Sequence, residues 1–273
     1  VKIHRHHEVI RIVPIEEING CLSYYEMKGT GIPIIFVHPP VLSSITFTHQ
    51  VAELSRTFQT ITFDIRGHGK SGSSQQTLTY SLIVDDMREL LDKLQVDKVF
   101  LCGYSTGGSI VLEFLLSYQE RAFGGILIGA MSEVHDLRLK MRISLGAICA
   151  RLSALKPLAL SVTWSNSDNL RLFWKAYQDA KNGTSKDVEE YYRSSLKYNC
   201  TVQLSAIKSP VLLVYGAKDK GFHSYARLLH KYLPKSQLIL VSGVKHQIPT
   251  KAANKLNQLI SDFIHSQFEA KEP

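Results

Sequence analysis

Residues Leu101 to Leu115 read LCGYSTGGSIVLEFL, with Gly103-Tyr104-Ser105-Thr106-Gly107 lying between an apolar run of strand length and a helical pattern. A G-x-S-x-G pentapeptide in that setting makes a sharp strand-to-helix turn. The turn strains the serine backbone, exposes its oxygen, and demands nearly side-chain-free neighbours. The following helix aims its positive N-terminal end at Ser105, favouring negative charge that develops there. A serine so placed is a nucleophile in waiting, but a hydroxyl needs a base, and the base needs a group to hold and polarise it. Two later loops offer them. LLVYGAKDK ends an apolar run and presents Asp219; LILVSGVKHQIP ends the next and presents His246, just before the last helical segment. Glu133, after ILIGAMS, is the rival acid and ranks below Asp219. His68, His223 and His230 read as turn, surface or helix residues.

Elements must bring these three residues together. PIIFV (33–37), TITF (60–63), KVFLCG (98–103), GGILIGA (124–130), PVLLVYG (210–216) and QLILVSG (237–243) are short, apolar and free of polar alternation, as strands buried on both faces of a parallel sheet are. Between them SLIVDDMRELLDKL sets Ile83, Met87, Leu90, Leu91 and Leu94 on one helical stripe, and ANKLNQLISDFIHSQF repeats the pattern near the C-terminus. Strands alternating with helices predict an α/β fold, doubly wound, with a mostly parallel twisted sheet. EVIRIVP and CLSYYEMKG alternate differently and are expected to pair as an antiparallel hairpin at one sheet edge. From 132 to 208 no strand is evident. Helices are expected around HDLRLKMRISLGAICARLSAL, DNLRLFWKAYQDA and SKDVEEYYRSSLKY, with Asp168 and Ser185 as N-caps. Lys156-Pro157 is expected to divide the first helical stretch from the next. The core is therefore assigned to 1–131 and 209–273, with 132–208 as a helical cap over the sheet edge where ligands bind in open α/β sheets.

Composition narrows the class. The chain has 273 residues, 44% hydrophobic, and a formal charge of +8 carried by scattered basic residues without a Lys/Arg-rich run. Such a pattern argues against nucleic acid. Cys21, Cys102, Cys149 and Cys200 are far apart, which supports neither a metal site nor a disulfide framework. His4, His6 and His7 read as a polar strand edge. The N-terminal stretch has no signal-peptide core. The most apolar long stretch, ISLGAICARLSALKPLALSV, is broken by Arg151, Lys156 and Pro157, so no stable membrane insertion is expected. A soluble, reduced, cytoplasmic protein is the expectation, as a monomer or weak homodimer.

Beyond these readings, the chain resembles the α/β-hydrolase superfamily over nearly its full length, in the subgroup of capped carboxylesterases and cofactor-free haloperoxidase-like enzymes. FVHPP stands where the family usually has a strand ending in His-Gly. TFDIRGHGKSG is similar to its Asp-x-Arg-Gly-x-Gly-x-Ser turn, GYSTGG to its nucleophile elbow, YGAKD to its acid loop and GVKHQIP to its histidine loop. The resemblance implies Ser105 as nucleophile, His246 as general base and then acid, and Asp219 as its orienting partner. Asp64, Arg66, Gly67 and His68 belong to a structural turn in relatives and receive no catalytic role. The departure is HPP. Relatives draw one oxyanion-hole N–H from the second residue after the strand-ending histidine, here Pro40, which has none. The other donor is implied at Thr106. Loss of one donor can cost about 2.7–4 kcal/mol of transition-state stabilisation, so a shifted loop with Val41 N–H as donor is the expectation, and a Ser43 or Ser44 hydroxyl the fallback.

The implied reaction is hydrolysis of small to medium carboxylic esters through an acyl-enzyme, with a small-molecule ester as partner, no cofactor and no metal. Trp164, Trp174 and Tyr177 of the cap, with His38, Pro40 and Tyr104, are expected to line the pocket. Ser105 argues against dehalogenase and epoxide hydrolase chemistry, which use Asp at that position in the family. Two alternatives remain at the same triad: a small-molecule receptor or signalling protein with little turnover, and perhydrolysis or C–C bond hydrolysis.

Overall fold

A computed structural model describes residues 15–269. The N-terminal histidines and the EVIRIVP segment lie outside these residues. Eight strands form one sheet in the order β1-β2-β4-β3-β5-β6-β7-β8. The strands β1 (Ile15–Ile18) and β2 (Cys21–Lys28) form an antiparallel hairpin, and β2 also pairs antiparallel with β4 (Gln59–Phe63). From β4 onward every pairing is parallel, through β3 (Pro33–Val37), β5 (Val99–Tyr104), β6 (Ala122–Ile128), β7 (Val211–Gly216) and β8 (Ser236–Val241).

The central strands are apolar because both faces are covered. β5 and β7 are buried along their whole length. On one face Ile35, Val37, Leu101, Leu127 and Leu213 pack against α2 (Tyr80–Lys93) and α3 (Thr106–Ser117). On the other, Phe36, Phe100, Ile126 and Leu212 meet α1 (Thr48–Leu54) and the C-terminal α10 (Ala253–Glu269). The apolar stripe of α2 is buried at Ile83, Met87, Leu90 and Leu91, and Thr79 caps its first turn by accepting from Leu82 N–H. QLILVSG departs from the expectation of two buried faces. Among the described residues β8 is the sheet edge, with no strand beyond it, and Leu240 is exposed.

Between β6 and β7 the chain runs through α4 (Leu137–Arg151), α5 (Leu155–Asn166), α6 (Leu170–Ala180) and α7 (Ser185–Lys197). Three local assignments shift. Asn169, not Asp168, caps α6, because its side chain reaches Leu172 N–H. Ser185 is the first residue of α7, and Thr184 holds the cap position without a side-chain bond. The first break falls at Leu152–Ala154, and Pro157 sits in the first turn of α5, where a missing N–H costs nothing.

The Asp64–Ser71 turn is a buried polar hub. Arg66 pairs with Asp86 of α2 through two hydrogen bonds and donates to the carbonyls of Ile18 and Asn19, which ties the β1–β2 turn to the sheet. Asp64 accepts from Ser44 N–H and Lys70 N–H. His38 accepts from Ile65 N–H at 2.9 Å through Nε2, so Nδ1 carries the proton and donates to the Pro39 carbonyl at 2.9 Å. That neutral imidazole fastens the end of β3 to the end of β4. Burial holds His38, and His68 beside it, at a pKa of about 4. An imidazole depressed from about 6.5 to about 4 favours folding by about 3 kcal/mol above pH 6.5, a contribution that fades as the pH falls toward 4. Urea unfolding at several pH values in this window should therefore show His38→Asn with a shallower loss of stability on acidification than wild type. Parallel slopes would mean that His38 titrates normally.

Candidate active site

The three sequence-predicted residues meet above the C-terminal ends of β5, β7 and β8. Ser105 follows β5 directly with φ 55° and ψ −123°, the strained corner that only a tight strand-to-helix turn imposes. Its glycines are obligatory: a Cβ on Gly107 would fall 2.2 Å from the Val37 carbonyl oxygen, and one on Gly103 2.4 Å from that of Gly107. Close approach of α3 to β3 thus sets the elbow. Asp219 follows the Gly216 turn after β7, ahead of α8 (His223–Tyr232), with its N–H bonded to the Gly216 carbonyl. His246 follows β8 and precedes α9 (Ile248–Lys251).

The contacts run in one line. His246 Nε2 lies 3.0 Å from Ser105 Oγ, and Nδ1 lies 2.8 Å from Asp219 Oδ2. A carboxylate only accepts, so Nδ1 carries the ring proton and Nε2 presents its lone pair to the serine hydroxyl. Phe222 and Tyr104 pack against the ring with centroids 4.2 and 5.3 Å away. Glu133, the rival acid, accepts instead from Thr201 Oγ1. His223 meets the Gly216 carbonyl and His230 meets Ser236.

Gly129, directly after β6, is a site residue that the sequence reading missed. It sits at φ +57°, and a Cβ there would fall 2.8 Å from His246 Cε1 and 3.0 Å from Nδ1. The only signal was a glycine at a parallel strand's C-terminal end. Gly129→Ala should push the imidazole out of line with Ser105 and Asp219. A misplacement approaching 1 Å costs about 10²-fold in rate. The expected result is kcat lowered by about that factor, KM nearly unchanged and the circular dichroism of the wild type. A normal kcat would show that the ring has slack.

A cavity of about 520 Å³ opens beside Ser105. Pro39, Pro40, Leu42, Tyr104, Thr106 and Phe222 come to it from the sheet loops, and the inserted helices supply a largely apolar wall including Leu139, Ile143, Leu158 and Val162. Of the pocket residues named from sequence, Pro40 and Tyr104 line it. Tyr104 also donates from its hydroxyl to Asn166 Oδ1 of α5 at 2.8 Å. His38, Trp164, Trp174 and Tyr177 do not line it. His38 is sealed beneath the loop by its two backbone bonds. Trp164 and Trp174 are more than half exposed and flank Phe173, on helix faces turned from the cavity, while Tyr177 packs with the Val41 cluster. The cavity wall of α5 is instead the Pro157, Leu158, Ser161, Val162, Ser165 face. Tryptophans marked size and polarity in the sequence, but the helix rotation that turns them outward is a tertiary fact.

In the proline loop no peptide bond is cis. Val41 has φ +71°, a genuine outlier for a β-branched residue, and its buried side chain packs with Ala150, Leu155, Ala159, Ala180 and Val188. Among the described residues, neither Val41 N–H nor Thr106 N–H has a protein acceptor. Ser43 Oγ donates to Asp179, Ser44 N–H to Asp64, and neither serine lines the cavity.

A mostly parallel eight-stranded sheet carrying serine, acid and histidine past the C-terminal ends of β5, β7 and β8, in that chain order, defines an α/β-hydrolase. The family model for serine aminopeptidase, S33, matches residues 33–251, and the chain belongs to that family of hydrolases. It is 25% identical over 264 residues to the AB hydrolase superfamily protein YisY of Bacillus subtilis, covering 89% of this chain and 95% of that protein. An esterase from Exiguobacterium antarcticum superposes with a TM-score of 0.82 at 20% identity, over 92% of this chain and 98% of that one. A bromoperoxidase from Bacillus anthracis does so with a TM-score of 0.81 at 24% identity, over 92% and 99%. Among the described residues no helix is long and apolar enough to cross a membrane.

Proposed function

We propose that the chain hydrolyses carboxylic esters of small to medium acyl or alcohol groups through an acyl-enzyme on Ser105. The observation that carries this most is the Ser105–His246–Asp219 line at the floor of an apolar cavity, with the tautomer of His246 set by Asp219. His246 Nε2 takes the Ser105 proton as Oγ attacks the ester carbonyl. The negative oxygen that forms is held by Thr106 N–H, at the start of α3, and by Val41 N–H. Among the described residues neither has a competing acceptor. His246 then gives its proton to the leaving alkoxide, and the alcohol departs. In the second half His246 takes a proton from water, hydroxide attacks the acyl carbonyl, and Ser105 leaves reprotonated. Asp219 stabilises the imidazolium in both halves without itself taking the proton. The inserted helices act as the cap that excludes bulk water and sizes the acyl pocket. The left-handed Val41, whose side chain is gripped by α4, α5, α6 and α7, fixes the loop that the two prolines stiffen.

The test is turnover of p-nitrophenyl esters from acetate to decanoate by wild type and Ser105→Ala. Multiple turnovers that vanish in the variant support esterase action, and the chain-length optimum reports the cavity's depth. A single burst per site that then stalls would overturn it in favour of a receptor of the same fold.

A further inference from the structure

Large exposed apolar side chains cluster on the inserted helices, and α4 arranges them in register. Leu137, Met141, Leu145, Ile148 and Leu152 recur at spacings of four, four, three and four and are between 52% and 73% exposed. At 3.6 residues per turn they form one narrow stripe on the outer side of α4. Leu139, Ile143, Ala147 and Ala150, buried, form the opposite side. Placed on the same wheel, Arg138 and Arg142 fall on one flank of the outer stripe and Lys140 and Arg151 on the other. Residues 137–166 contain these four cations and Lys156, with no Asp or Glu. Leu160 and Trp164, on the next helix, are also exposed.

An exposed apolar stripe of this length is not a neutral surface feature, since isolated exposed leucines are ordinary but an ordered row of them marks contact with an apolar phase. The charge pattern selects the partner. A second copy of the chain would bring cations against cations. An anionic lipid surface offers acyl chains to the stripe and headgroups to the flanking Arg and Lys, the geometry of a helix lying in the membrane interface. We propose that the outer face of α4 docks the protein peripherally on anionic lipid bilayers. Leu145 and Arg142 also line the cavity, so the docked face adjoins the cavity beside Ser105. Direct entry of a lipophilic ester from the bilayer would follow, and that consequence alone rests on the esterase reading.

Co-sedimentation with phosphatidylcholine vesicles, with and without phosphatidylserine, tests the docking. Wild type and Ser105→Ala should partition equally onto phosphatidylserine vesicles, and at least tenfold less onto phosphatidylcholine alone. The double variant Met141→Glu with Ile148→Glu changes two exposed residues outside the cavity wall. It should lose at least tenfold in partitioning while hydrolysing soluble p-nitrophenyl acetate at the wild-type rate. Wild type that stays in the supernatant with phosphatidylserine vesicles, or a double variant that binds as well, would overturn the proposal. So would a wild-type dimer in sedimentation velocity that the double variant dissolves, which would give the face to a second copy. Wild type that binds the vesicles but turns over no ester leaves the docking standing and overturns only the esterase reading, so the two readings fail separately.

Discussion

Ser105→Ala and His246→Ala should each lower kcat on a soluble p-nitrophenyl ester by about 10⁶-fold, and the double variant should be scarcely worse. The non-additivity follows from the geometry. Ser105 Oγ and His246 Nε2 are 3.0 Å apart and share one proton. Without the imidazole the hydroxyl stays protonated and a poor nucleophile; without the hydroxyl the imidazole has nothing to activate. Either loss removes the whole covalent route, and what remains is the background from the oxyanion donors and the cavity. Neither variant should disturb folding, because the strained elbow depends on Gly103 and Gly107 rather than on the serine oxygen. The measurement is kcat against the chain-length optimum, with a thermal melt as control. Independent, multiplying losses would mean that the two residues do not act as a unit.

Asp219→Asn should cost about 10⁴-fold in kcat with KM little changed. The amide keeps the shape of the carboxylate, and the backbone bonds of Asp219 to Gly216 and Phe222 are untouched. Its NH₂ group, however, can donate to Nδ1, which drives the ring proton to Nε2. An Nε2–H faces Ser105 as a donor and cannot take its proton. The imidazolium formed during attack also loses its negative partner 2.8 Å away. Nitrogen-15 NMR of the imidazole gives a readout that a merely structural role would not move: Nδ1 protonated in wild type, Nε2 protonated in the variant. A variant with the wild-type tautomer and rate would remove Asp219 from the chemistry.

In the proposed reaction Val41 N–H is the donor that Pro40 cannot be. Pro39 and Pro40 remove two N–H groups, and the next residue enters the left-handed region at a cost of about 1–3 kcal/mol. The contacts of its side chain with α4 to α7 hold that conformation in place. Positive φ thus falls at Val41 as it does at Ser105, both beside the cavity's oxyanion position in the proposed reaction.

The sequence by itself determined the sheet's central strands, the chain order of Ser105, Asp219 and His246, and the stretch in which the inserted helices occur. Each follows from short-range rules. A strand buried on both faces must be apolar throughout, and a nucleophile turn must have glycines where side chains would strike backbone. Strand order and edges were not legible that way. QLILVSG has the composition of a central strand yet ends the sheet, because edge position depends on what packs beyond it. Gly129 could not be assigned either: its meaning is the distance to an imidazole 117 positions away in the chain, and only the parallel pairing of β6 with β7 and of β7 with β8 brings the two together. Side-chain direction on the inserted helices was the largest gap. Composition marked Trp164, Trp174 and Tyr177 as pocket candidates, but a helix shows its periodicity without showing which side faces inward. On α4, apolar residues occupy both the inner and outer sides, so periodicity alone could not separate core from surface. Packing against α7 decided which side was buried, and with it which apolar row was left exposed.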